Sequence, residues 1–363
     1  MTNQHTPLTL FIIKQFYAYG SPAQMSNGLW SSANFVVNML LQEGHRAKLV
    51  EAIDGNSVDA LVAQNNPARV VIEALWVTPR KMAELQRLYP NVRWTVRVHS
   101  EIPFLANEGS AVSWIAAYFN QGVEVAFNSA QTVCDFEILG HATYLPNYYP
   151  LRKPRALKPA SAQLDVGCFG AIRPLKNQLI QAFAAIEYAR SILKPLVFHI
   201  NGARIEQLGQ NNLKNIEALF MAAGQTLEIH PWMNHEAFLD LIAEMDICLQ
   251  VSLSESFNIV SADAVSMGVP LVGSNAISWL PKRSQAAVNS ASSIADAMRM
   301  ADSTAVAMNH AALEGYLQRA EKEWIAWIRV SRYYLAGTMR GGFWDASRPA
   351  AHSIDGIGYD TKT

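Results

Sequence analysis

The chain has 363 residues, half of them hydrophobic and 16% charged, with a formal net charge of −1. That length exceeds one ordinary core and predicts two of similar size, and the apolar content excludes a disordered chain. The near-neutral charge is not an average of opposites: residues 1–150 carry 9 Lys and Arg against 11 Asp and Glu, and residues 160–363 carry 16 against 19. This excludes a protein built mainly to neutralise a nucleic-acid backbone.

The opening MTNQHTPLTLFIIKQF has a short apolar run interrupted by a Lys. It predicts a first buried strand over 8–13 rather than a signal peptide or a membrane span. Further strands are expected at 46–52, 68–75, 93–99 and 123–129. Between the first two, LWSSANFVVNMLLQEG (29–44) repeats its apolar residues at three and four, with Gly44 where a helix stops. The loop YGSPAQMSNGLW (19–30) feeds this helix. Gly28 has no Cβ, so its backbone can approach a phosphate, although such turns are also ordinary connectors. In VRVHSE, His99 ends a strand, where it is either structural or able to bond a sugar hydroxyl or carry a proton.

LRKPRALKP (151–159) holds four positive charges and no acid, and reads as a solvated linker. A second alternating series follows, with strands at 164–172, 195–202, 226–232, 246–252 and 269–274 and helices at 177–192, 212–223, 235–245 and 256–267. Beyond 305 the pattern is helical only, through 314–337, and a Gly- and Pro-marked tail begins at Gly341. The alternation predicts an α/β protein of two doubly wound Rossmann-like domains facing across a cleft, with ligand beyond the carboxyl ends of the strands. The expected divisions are 1–152, 153–325, and a return helix and tail over 326–363.

Two segments of the second half carry candidate chemistry. In VGCFGAIRPLKNQ (166–178), Arg173 and Lys176 overhang a strand end beside a helix start, with Pro174 stiffening the turn. They are either solvated surface cations or a site for a diphosphate. In SESFNIVSADAVSMGVPLVGS (254–274), Ser254 is the expected N-cap and Gly268 the expected stop, with Phe257, Val260, Ala264 and Met267 on one apolar face. A helix from about Glu255 to Met267 would set Glu255 about 12 Å from Asp263, near the span from sugar to ribose in a nucleotide sugar. The alternative is that Glu255 complements the helix dipole and Asp263 partners a neighbouring loop. Cys134, Cys168 and Cys248 match no disulfide framework, which suits a reducing cytoplasm. The histidines, HPWMNH (230–235) included, match no zinc-ligand spacing, and no metal is expected.

Taken in order, these motifs resemble the retaining nucleotide-sugar glycosyltransferases of family 4, which have the GT-B fold. NGLWSSANFVVNMLLQEGH resembles the family's Gly loop, first helix and Gly-His ending. VAFNSAQ and YLPNYYP resemble the strand end and Pro-Asn turn that close its first domain. FGAIRPLKNQ is similar to its Gly-Arg…Lys-Asn segment, and SESFNIVSADAVSMGVPLVGS to its Glu-x7-Glu signature. By position, the resemblance assigns the donor diphosphate to Arg173 and Lys176, a donor-sugar hydroxyl to Glu255 and the ribose to Asp263. It puts Gly28 under the phosphates, His99 near the transferred sugar, and Gly170, Ser256, Phe257, Asn258 and Ile259 in the donor site. Two departures are Asp263 in place of Glu and Asn258 in place of Gly, the latter adding a side chain beside the phosphates and sugar. The resemblance further implies a C-terminal helix that crosses back to the first domain, a nucleoside diphosphate sugar as donor, UDP-sugar first, and no other cofactor. Transfer with retention through a front-face mechanism, without a metal, is the expected reaction. A saccharide or glycolipid is the first choice of acceptor, drawing on Trp30, Trp76, Trp94, Trp114, YAYG and IPF. A hydroxymethylated base in phage-type DNA and a non-catalytic nucleotide-sugar-binding module are the alternatives. No basic amphipathic helix signals membrane docking.

Overall fold

The structure, a computed structural model, describes the backbone of residues 7–15, 28–154, 158–159, 161–202, 204–206 and 208–337, with side chains up to 329. Residues 16–27, with YAYG and most of the Gly loop, and the tail from Gly341 lie outside the described residues.

The first half alternates β1 (Thr9–Lys14), α1 (Gly28–Gln42), β2 (Ala47–Ala52), α2 (Ser57–Asn65), β3 (Arg69–Glu73), α3 (Pro79–Leu88), β4 (Arg93–Val98), α4 (Ile102–Leu105), α5 (Ala111–Asn120), β5 (Glu124–Phe127), α6 (Ala130–Phe136) and β6 (Thr143–Tyr144). The second runs β7 (Leu164–Gly167), α7 (Gln178–Ser191), β8 (Leu196–Asn201), α8 (Gly209–Ala223), β9 (Thr226–His230), α9 (His235–Ala243), β10 (Ile247–Gln250), α10 (Ile259–Met267), β11 (Leu271–Gly273), α11 (Ala291–Arg299) and α12 (Ser303–Gly337). The predicted strands all form: the first is shifted by one residue, and the other nine are trimmed by a residue or more. β6, a two-residue strand that leads into the Pro-Asn turn segment, is not distinguishable by alternation.

Helix starts follow local chemistry. Thr78, Ser129, Asn234 and Ser290 each accept a backbone N–H of the first turn they cap, which satisfies a donor that has no partner within the helix. Gly44, Gly224 and Gly268 leave α1, α8 and α10 at positive φ, a conformation that costs glycine little.

All strand pairs are parallel. The first sheet has the order β2-β1-β3-β4-β5-β6 and the second β11-β10-β7-β8-β9. Both are doubly wound, and the order reverses between β1 and β3 in one and between β7 and β10 in the other. Burial on both faces explains the near-continuous apolar runs of FII, RVVI and ICL. Leu10, Ile12, Val70, Ile72 and Val96 are fully buried in the first core. Val166, Phe198 and Leu249 lie on one face of the second sheet and Phe169, Cys248 and Leu271 on the other.

Met1–Trp324 and Ile325–Thr363 separate as two compact units. Within the first unit, α12 returns to the first sheet through Trp324, whose Nε1 donates to Pro146 O (2.8 Å) and whose ring lies against Phe11. Residues Ile325–Gly337 continue the helix. Among the described residues no helix is long and apolar enough to cross a membrane. Arg152, Lys153, Pro154 and Pro159 of the linker are exposed, as a solvated connection requires, while Lys158 bonds Asp165 (2.6 Å) and Arg152 pairs with Glu236 at the surface (2.5 Å).

Candidate active site

The switch point between β7 and β10 brings two sequence-distant loops together. Leu253 N donates to Leu175 O (2.9 Å), and Asn177 Nδ2 donates to Val251 O (3.1 Å). Gln181 Oε1 accepts Val251 N from the next turn (2.8 Å). Asn177 itself sits at φ 57° between the 3-10 turn Pro174–Lys176 and α7, a conformation that asparagine tolerates better than most residues. This lacing sets Lys176 Nζ 2.5 Å from Glu255 Oε1, with both side chains mostly buried. Gly170, at φ 114°, lies beneath Lys176, and a Cβ there would stand 3.7 Å from Lys176 Cε.

The two predicted cations part company. Arg173 reaches Glu206 (3.4 Å) and lies 4.9 Å above the ring of Phe104, from the IPF segment of the first half. Its Nε is buried without a hydrogen-bond partner.

The segment around Glu255 corrects four expectations. The helix starts at Ile259 and not near Glu255, so the 12 Å helical spacing between Glu255 and Asp263 does not apply. Its cap is Asn258, at φ 63°, whose side chain accepts Ser261 N (2.8 Å). Ser254 instead donates to Glu101 Oε2 (3.3 Å), because residues 252–258 form a loop directed at the first sheet rather than a first helical turn. Asn258 projects no amide beside the phosphates and sugar. Its Nδ2 is turned inward onto Gln250 Oε1 (2.9 Å). Phe257 does not offer its ring to the donor site either. It is fully buried between Trp279 and Tyr316, because an aromatic ring in this tight loop is better covered by the core than left in a wet cleft.

Ser256 bridges to the first sheet, donating to His99 O (3.1 Å) and accepting from Asn128 Nδ2 (3.0 Å). His99 directly follows the end of β4, but both ring nitrogens face protein. Nε2 contacts Glu73, and Nδ1 lies 3.4 Å from Asn128 Nδ2. Burial and the nearby Arg97 lower the pKa of His99, against the pull of Glu73, which favours the neutral form, and the Glu73 carboxylate beside Nε2 suits a proton on that nitrogen. Glu73 is itself wholly buried, and burial would raise its carboxyl, but Arg97 and His99 more than offset this and hold it below the usual range. Arg97 closes the cluster, donating to Leu145 O, Pro146 O and Asn147 Oδ1 (2.9, 3.0 and 2.6 Å) as well as to Glu73.

Two cavities flank these groups. One, of about 530 Å³, gathers Gly28, Gly170, Ile259 and Asp263 with Asn201, Trp232 and His235. Gly28 begins α1, and a Cβ on it would meet Ile259 at 3.8 Å. The other, of about 520 Å³, lies at the first sheet's switch point, lined by Lys14, Trp76, His99 and Glu108 among others. Of the other tryptophans expected to face an acceptor, Trp94 is core, and Trp114 packs against that core.

Asp263 is almost fully buried, and its Oδ1 accepts from Tyr149 OH (2.8 Å) and His235 Nε2 (2.7 Å). Burial lowers the pKa of His235, but the bond and charge of Asp263 outweigh it, so the net shift is upward. Sequence reasoning missed His235, Asn201 and Glu101. Asn201 has a signal, since it is a polar residue closing an apolar strand, and its Oδ1 accepts Gly170 N (2.9 Å). Burial raises the Glu101 carboxyl despite hydroxyls from Ser129 and Ser254, and the charge of Glu255 adds to the rise. His235 had none, because its partner is 28 residues away.

No protein-family model matches the sequence, and no curated protein matches it significantly. Solved structures do match it in shape. Sucrose-phosphate synthase from Thermosynechococcus elongatus aligns over 92% of this chain and 100% of its own at 14% identity, with a TM-score of 0.68. An α,α-trehalose 6-phosphate synthase from Burkholderia multivorans aligns over 94% and 100% at 13% identity and 0.61. Anabaena HepE in complex with UDP-glucose aligns over 92% and 99% at 14% identity and 0.59. The extent of these matches, together with two parallel doubly wound sheets, gives this chain the two-domain, Rossmann-like GT-B fold.

Proposed function

We propose that the chain is a glycosyltransferase that moves a sugar from a nucleoside diphosphate sugar, UDP-sugar first, to an acceptor hydroxyl with retention. The observation that carries this is the Lys176–Glu255 pair at the β7/β10 switch point, next to Gly170, which lines the cavity that also holds Asp263. In this reading 153–325 is the donor side and 1–152 the acceptor side.

The donor diphosphate takes Lys176 from Glu255, and Arg173 Nε supplies a second donor. Glu255, released, accepts a hydroxyl of the donor sugar. The C1–O bond to the diphosphate breaks as the acceptor oxygen bonds C1 on the same face, and the acceptor proton passes to the leaving phosphate oxygen. Negative charge growing on that oxygen meets fixed cations in a largely dry site, which lowers the barrier. His99 acts as a positioning residue beside the transferred sugar, its ring held by Glu73 and Asn128. At the ribose, Asp263 works as a pair with His235, and the imidazole restores the reach that the shorter acid lacks. A saccharide or glycolipid is the acceptor, received at the cavity lined by Trp76, Lys14 and Glu108.

Screening nucleotide sugars for thermal stabilisation, then measuring nucleoside diphosphate release with the best one, tests the reading. One nucleotide sugar is expected to raise Tm and to be turned over. Stabilisation without turnover in the presence of saccharide acceptors would leave a binding module, and no stabilisation by any of them would overturn the proposal.

A further inference from the structure

Away from this site, the edge of the second sheet carries a cluster that the mechanism does not use. Parallel pairing sets His199 of β8 opposite Glu228 of β9, and Asn201 opposite His230. Because side chains alternate along a strand, His199, Glu228 and His230 share one face. His199 Nδ1 lies 2.9 Å from His230 Nε2 and 3.4 Å from Glu228 Oε2, and the three ligand atoms all fall within 4.8 Å of one another. We infer that His199, His230 and Glu228 form a binding site for a first-row transition metal of the zinc class.

Four features favour an ion over a simple imidazole pair. In tetrahedral zinc sites metal–ligand bonds of about 2.0–2.2 Å place ligand atoms about 3.3 Å apart, so the His199–Glu228 spacing fits as it stands and the histidine pair need open by only a few tenths of an ångström. The far nitrogen of His199, Nε2, lies 3.2 Å from Asp165 Oδ1, which fixes the proton there and leaves Nδ1 as a lone pair. A carboxylate behind a ligating imidazole is the usual supporting arrangement in metal sites. That carboxylate is anchored in turn by Lys158 (2.6 Å) and Gln163 (2.7 Å). Finally, His199 is buried while the Glu228 side chain is 56% exposed, so the site has a rigid floor and an open approach for the ion. Two imidazoles and one carboxylate leave a fourth position for water and suit zinc, cobalt or nickel better than calcium or magnesium, which prefer oxygen. Binding would tie β9, the sheet edge, to β8. It would do so two residues before Asn201, which holds Gly170 of the proposed donor site.

The test uses the full chain dialysed against a chelator. Zn²⁺ titrated by calorimetry is expected to bind at one equivalent, and Co²⁺ to develop the visible bands of a four- or five-coordinate ion that Zn²⁺ then bleaches. His230→Ala, at the sheet edge, is expected to weaken Zn²⁺ binding about 100-fold with the metal-free circular dichroism and Tm unchanged. Asp165→Asn, which touches no ion, is expected to weaken it about 10–100-fold, and His141→Ala, in an exposed loop, to leave it unchanged. Absence of stoichiometric binding to the unaltered chain, or binding that survives His230→Ala, would overturn the assignment.

Discussion

The two sheets carry charged clusters at equivalent places, the strand ends beside each switch point, yet the clusters differ in kind. At the first sheet, Glu73 and Arg97 are fully buried and every charged partner is bonded, with Trp324 closing over the guanidinium at 5.1 Å. At the second, Lys176 and Glu255 retain some exposure and Arg173 keeps a buried Nε without a bond. A sealed ion pair holds a framework, whereas an incompletely satisfied one at a cleft is available to a ligand. The difference warns against reading any charge at a strand end as chemistry.

The largest expected effect tests the sealed cluster. Arg97→Met should destabilise the protein by about 3–5 kcal/mol, because Glu73 is left charged in the core. A urea midpoint close to that of the unaltered chain would break the contrast. Next is the open cluster: Lys176→Ala should lower turnover by about 10²–10³-fold, as loss of one group stabilising transition-state charge does, with the urea midpoint little changed. A large loss of stability there would make Lys176 structural.

Smaller changes sharpen the picture. Asn258→Ala should cost about 1–2 kcal/mol, since it removes the cap of α10 and places a residue with a Cβ at φ 63° without asparagine's local bonds. Asn258→Gly should cost less, and thermal denaturation of the two variants side by side measures the difference. The smallest effect is a pH dependence. The His235 pKa is raised in the folded state, so its contribution to stability is fully present below about pH 6.5 and fades as pH rises through the higher folded value. His235→Gln should flatten that stretch of the stability–pH curve, and the same variant should weaken nucleotide-sugar stabilisation if the ribose reading holds.

Much of this was legible before any coordinates. Alternating apolar runs and helical spacing mark the ten longer strands and the helices between them, because burial on a sheet or a helix face imposes its period on the sequence. Lys176 and Glu255 stand out for a related reason: each follows a strand's carboxyl end, outside the apolar pattern. The start of α10 is ambiguous in the sequence because Ser254 and Asn258 are both good caps, and only the path of the loop decides between them. The fates of Phe257 and Asn258 depended on neighbours from β10, the Trp279 segment and α12, which no local pattern encodes.

The sequence by itself determined that this is an α/β chain with two parallel, doubly wound halves, since periodicity and strand-end chemistry are local properties. Tertiary structure alone decided which charges meet. It sealed Glu73 and Arg97 under Trp324, paired Lys176 with Glu255, and set His235 on Asp263. It also aligned His199 with Glu228 and His230, through a strand register fixed by packing across the whole sheet.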